Sequence, residues 1–461
     1  MAARALFPST LFTLLLAVWL LPGPAASSDW PLFRGPEHSG VAEGVTLPTT
    51  WNVETGENVR WKTAIPGLAH SSPVSWGDKI FLTTAVRKAG GDQPLKVGLY
   101  GDIVPVDDEG EHSLLVLALD SNTGQILWQK TAHEGAPKIK RHPKGSHAAS
   151  TPATDGKRVA AMFGSEGLHV FDLDGNLLWS KDFGVLDSGF FMAPGAQWGF
   201  ASSPVFHQDR LYLQVDVQKS ADGNASFLAA FDAATGKELW RTPREDVPTW
   251  GTPAVVPRGD GWQVVANGWK HIGGYDAATG KELWKIEGGG DIPVPTPVVA
   301  RGVPGHGDLI LITNAHGRIR PIYAIRTDAT GEIKPDTPAI PWWHERLGNY
   351  MQTPLVLDGL GYFGFDNGVL TVLDLQTGER VYQERLGGGQ TGFTASPVAA
   401  DGRLYFTSED GDVWVLRAGR AFEVLAQNEL GETFMSSPAI VGDQILFRAR
   451  HHIYAIGLPK H

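Results

Sequence analysis

Apolar residues recur along this chain in short alternating runs such as Lys79 to Thr83 (KIFLT) and Arg403 to Thr407 (RLYFT), bounded by Gly-Asp or Asp-Gly pairs. A period of two between turn signals predicts half-buried β-strands joined by tight turns. One stretch is copied more faithfully than the others. Ala118 to Trp128 (ALDSNTGQILW) returns as Ala230 to Trp240 and Gly274 to Trp284, and more faintly as Val170 to Trp179 and Val372 to Tyr382. Each copy reads as two strands around a turn. Asp and Thr bond the turn's own backbone, and Gly takes the positive φ that closes it. The recurring aromatic is expected to wedge between neighbouring units, which assigns blade docking to Trp61, Trp128, Trp179, Trp240 and Trp284.

A second mark is Ser or Thr before Pro at the head of an apolar run. It occurs at Ser72, Thr151, Ser203, Thr252, Thr296, Thr353, Ser396 and Ser437. Each repeat then holds four strands, A to D, with Pro at the start of A, where it removes no ladder bond. The eighth repeat stops at its third strand, His452 to Gly457, while Val59 to Ala64 resembles a fourth strand without its first three. Pairing the two would close a ring with no open edge. The predicted fold is all-β: an eight-bladed β-propeller of four-stranded antiparallel blades, the last closed by an N-terminal strand.

Composition narrows the function. The chain has 461 residues and a formal net charge of −11, without the basic footprint of a nucleic-acid binder. Residues 1–28 read as a signal peptide, with Arg4, an apolar run from Leu11 to Leu21 and small residues for cleavage near 25–28. Residues 29–50 then form an N-terminal strap, and 51–461 the propeller. No later stretch resembles a membrane span. Cysteine is absent, which removes disulfide redox chemistry, zinc thiolates and an N-terminal lipid on cysteine. The expected product is a secreted or periplasmic monomer.

The A–B and C–D turns should share one face and read as uniformly short. The B–C loops and blade links share the other, which is variable and therefore the candidate binding face. It should carry a blade 1 insertion from Arg87 to His112 and a basic lip with Lys138, Lys140, Arg141 and Lys144. It should also carry link aromatics: Trp198 and Trp250, with Trp342, Trp343 and His344 in the link between blades 5 and 6. His70, His147 and His344 are expected near the A-strand entrances, and Tyr350 completes the candidate ligand- or partner-binding set. The acidic patch Asp107 to Glu111 lacks calcium-loop spacing and reads as solvated. No metal site and no catalytic constellation is identified.

The AxDxxTGxxxW pattern of residues 118–128 and 230–240 resembles the pyrroloquinoline quinone (PQQ) repeat over about residues 51–457, and the opening WPLFRGP resembles that of secreted PQQ-binding-like propellers. Two branches are similar. The outer-membrane assembly propeller lipoprotein implies a non-catalytic scaffold for a protein partner, without cofactor. The quinoprotein alcohol dehydrogenases imply PQQ and Ca²⁺ in the funnel, an Asp base and often a vicinal disulfide. The expectation is the scaffold; the alternative is a PQQ- and Ca²⁺-dependent oxidoreductase.

Overall fold

A computed structural model describes residue 1 and residues 29–460, apart from 90, 109, 194 and 219–225. The expected signal peptide therefore lies, but for residue 1, outside the described residues. Among the described residues the strands form eight sheets, one per blade, and helix is confined to two single 3-10 turns. Blade 1 comprises Val74–Trp76, Lys79–Arg87, His112–Asp120 and Ile126–Gly135. Blades 2 to 7 repeat the order, and every A–B, B–C and C–D pair is antiparallel.

Blade 8 is closed as its missing strand demands. Val59–Ala64 runs antiparallel to His452–Gly457, with Trp61 opposite Ala455 and Ala64 opposite His452. Buried side chains fill the spaces between blades, so the core is distributed round the ring rather than gathered in one place.

Local chemistry explains the repeat. Asp120 Oδ1 accepts from the amides of Asn122 and Thr123 and from the Thr123 hydroxyl, and Asp232 and Asp276 are bonded alike by Thr235 and Thr279. The turn glycine sits under a neighbour's tryptophan. Trp61 covers Gly124, Trp128 covers Gly175, Trp179 covers Gly236 and Trp240 covers Gly280. Each indole N–H also donates to a carbonyl of that next blade: Ser121, Leu173, Ala233 and Ala277 in turn.

Two tryptophans exchange the roles the spacing assigned them. Trp342 is not in a link. Trp342–His344 is the fourth strand of blade 5, and the Trp342 indole stands over Gly378 and donates to Leu375 O at 2.8 Å. Trp284 points into its own blade, where its N–H donates to Gln263 Oε1. One insertion causes both departures. Between its third and fourth strands blade 5 carries residues 327–341, so the C–D face is not uniformly short. Within them Gly331–Ile333 adds to blade 4 in parallel beside Glu282–Ile286. Blade 5 therefore offers no glycine turn to Trp284.

The strap crosses the ring on the A–B side. Trp30 bridges Ser75 of blade 1 and Pro31 O accepts from Thr154 of blade 2. Val41–Ala42 then pairs with Ala399–Ala400 of blade 7. Midway, the fully buried Arg34 guanidinium donates to the carbonyls of Pro354, Pro397, His38 and Ser39. Burial pulls Arg34 down to about 9, which leaves it charged at neutral pH.

Candidate functional site

The eight Ser/Thr-Pro heads converge on the ring axis, and all eight hydroxyl residues border one central cavity of about 190 Å³. Their backbones and side chains link blade to blade. The amide of Ser72 donates to Thr151 Oγ1 (3.0 Å), Thr151 to Ser203 (2.9 Å) and Ser203 to Thr252 (3.1 Å). The chain resumes from Thr296 to Thr353, Ser396 and Ser437. The periodic mark therefore encodes two arcs of hydrogen bonds round the channel, each joining four blades, besides strand starts.

Phe33 of the strap borders the cavity from the closed side. The opposite mouth is walled by Tyr100, His142, Lys144, Trp198, Trp250 and Tyr350. Tyr100 comes from the blade 1 insertion and packs edge-on to Tyr350 (5.1 Å between centroids). Trp198 is tilted against Trp250 at 5.6 Å and hydrogen-bonds Ile103 O. Trp250 donates to Gly199 O. These aromatics tie the insertion to the link between blades 2 and 3 and narrow the funnel.

His70 also faces the cavity, so His70, Trp198, Trp250 and Tyr350 lie together there with Lys144 of the basic lip. Burial drives His70 down to about 3, with Arg141, Arg448 and Arg450 adding repulsion, and the imidazole is neutral at physiological pH. Burial raises the Tyr350 phenol well beyond its ordinary range. Trp343 lies elsewhere, stacked on Tyr323 and bonded to Asp336. His344 is not near an A-strand entrance; its Nε2 bonds Gly378 O at the boundary of blades 5 and 6.

The basic lip is neutralised from within, contrary to the sequence expectation. Lys138 bonds Ser165 O and lies 3.4 Å from Asp182, and Lys140 pairs with Asp107. Arg141 is buried and donates to Asp108 Oδ2 at 3.1 Å and to Pro94 O. Lys144 is buried against Glu409 at 2.7 Å, its ammonium 4.1 Å from the Tyr100 ring centroid. The insertion folds back over the link and brings the carboxylates with it. Asp108 is thus not solvated: its side chain is 1% exposed, with His112 and His147 beside it. This pairing links residues distant in sequence, and no local spacing announces it.

The chemistry of the cavity follows from its wall. Among the described residues that border it there is no carboxylate and no side-chain amide, and the only permanently charged group is Lys144. A calcium-held quinone needs anionic oxygen ligands for the metal, and this wall offers hydroxyls, imidazoles and aromatic rings instead. The donor set does not fit that pair.

Solved structures match most of the chain. BamB from Moraxella catarrhalis aligns with a TM-score of 0.53 and 13% identity over 83% of this chain and 98% of that one. A europium-containing methanol dehydrogenase gives 0.63 and 11%, over 94% and 98%. A quinohemoprotein alcohol dehydrogenase from Comamonas testosteroni gives 0.61 and 11%, over 94% and 81%. At such identities the likeness concerns the fold. No curated protein sequence matches. Among the described residues no helix is long and apolar enough to cross a membrane. The sequence model described as "Outer membrane protein assembly factor BamB" matches residues 37–185, 112–384 and 224–458, and the chain belongs to that PQQ-repeat propeller family.

Proposed function

We propose that the chain is a secreted or periplasmic, non-catalytic monomeric propeller that binds a protein partner on the face of the B–C loops and blade links. The observation that carries this is the apolar surface of the blade 1 insertion. Val97, Leu99, Ile103 and Val104 are all exposed there, Val104 at 72%, and Met192 of the neighbouring link is exposed on the same face. Apolar side chains gathered on the variable face of a repeat ring suit a protein contact better than a small-ligand mouth. The BamB-type family match supports a scaffold, and the missing carboxylates in the cavity wall weigh against PQQ with Ca²⁺. Nucleic acid is not an expected partner.

The test places a photo-crosslinking amino acid at position 104 or 192, and in a control at Leu458, which is exposed at the chain terminus. The expected result is one discrete adduct from 104 and 192 in an extract of the native compartment and none from 458. Equal labelling from all three sites, or a rise in melting temperature on adding PQQ with Ca²⁺, would refute the reading.

A further inference from the structure

Three groups at the foot of the blade 1 insertion are buried and close together, and each keeps one polar atom without a hydrogen-bond partner. Asp108 lies on the returning arm of the insertion, His112 opens the third strand of blade 1, and His147 belongs to the link that follows. His112 Nε2 and His147 Nε2 lie 3.7 and 3.8 Å from Asp108 Oδ2. The two imidazole rings meet edge to face at 5.1 Å. All three donor atoms fall within 4.8 Å of one another. The side chains are 1%, 1% and 6% exposed, and Asp108 Oδ1, His112 Nε2 and His147 Nε2 have no hydrogen-bond partner. Two buried, orphaned imidazole nitrogens that both approach one carboxylate oxygen are costly unless something bonds them.

We propose that Asp108, His112 and His147 form a site for a divalent transition-metal ion, with Zn²⁺ the best match to two imidazoles and a carboxylate. Ligand atoms in a tetrahedral zinc shell stand roughly 3.4 Å apart, given bonds of about 2.0–2.1 Å. The two imidazole-to-carboxylate separations need to close by only a few tenths of an ångström, and all three atoms already lie within 4.8 Å of one another. The supporting shell is in place. His112 Nδ1 is 2.6 Å from Gly110 O, so its N–H donates there and the lone pair stays on Nε2. Asp108 Oδ2, the oxygen nearest both imidazoles, would be the third ligand, and Arg141 Nε donates to the same oxygen and orients it. Three protein ligands leave the fourth position for water.

Arg141 and Arg87, the latter 3.7 Å from Asp108 Oδ1, add positive charge beside the ion. The site should accordingly bind less tightly than a thiolate one. Its consequence is mechanical: the ion would pin the insertion, and with it the proposed partner face, to the ring. The metal site stands independently of that partner.

The experiment uses the mature chain without a histidine tag, stripped with EDTA and titrated with Co²⁺ and Zn²⁺. Expected are one equivalent of Co²⁺ giving the intense visible bands of a tetrahedral ion, displacement by Zn²⁺, and a melting temperature several degrees higher. His112→Gln and His147→Gln should each weaken binding by at least about tenfold, while His451→Gln, on the exposed closing blade, should not. Melting curves of the metal-free variants establish that they fold. Failure of the folded wild-type chain to bind one equivalent, or unchanged binding by both folded variants, would overturn the site.

Discussion

Gly236 and Gly402 have nearly the same left-handed backbone, φ 69° and 68°, but different neighbourhoods. A Cβ on Gly236 would meet the Trp179 ring at 2.6 Å, whereas one on Gly402 would meet nothing within 4 Å. Gly402→Ala should therefore cost only the strained backbone, about 1 kcal/mol. Gly236→Ala adds overpacking against the indole and should cost about 3 kcal/mol. Denaturant midpoints at constant m-value measure both, and equal losses would mean that the Trp–Gly contact contributes nothing. The Asp-Thr-Gly turn was legible in the sequence because all its bonds are local. Trp342 was not, since the insertion of residues 327–341 breaks the spacing that identifies a docking tryptophan. Asp108 was misjudged for a different reason: its partner Arg141 arrives from another loop, and burial by a distant segment has no sequence period.

Between blades, the two hydroxyl arcs supply bonds that sheet pairing cannot. Thr151 accepts the buried amide of Ser72, but Ser72 Oγ itself has no partner. Thr151→Val should thus orphan an amide and cost about 1–3 kcal/mol, while Ser72→Ala should change stability little. Unfolding of the two variants side by side decides it, and equal stability would remove these hydroxyl bonds from the account of how blades register. The Ser/Thr-Pro period pointed correctly to the strand starts. Its second role was hidden, because a hydroxyl's bond to the next blade depends on curvature that one repeat does not show. The strap was likewise visible as irregular chemistry, yet nothing in WPLFRGP said that Arg34 would donate to carbonyls beneath blades 6 and 7.

For the molecule as a whole, the buried imidazoles set the response to acid. Burial lowers His38 to about 4 and His70 to about 3 from an ordinary 6.5. Both are neutral in the fold and protonated first in the unfolded chain. Their contribution is complete above pH 6.5 and is lost as pH falls toward 4, at about 1.4 kcal/mol per pH unit for each. Denaturant midpoints at pH 7.5, 6 and 5 should fall along that slope; a flat profile would mean that neither group is buried as described. The eight-fold count and the closing strand were readable from the chain because a missing fourth strand at one end and a spare one at the other have a single economical solution. That join also makes the strand His452–Gly457 a test of completeness. A polypeptide cut short before His452 would leave two raw sheet margins on one molecule, both ready to adhere to other chains, so a prematurely terminated product should be recognised by its stickiness and destroyed rather than persist as a slightly smaller wheel.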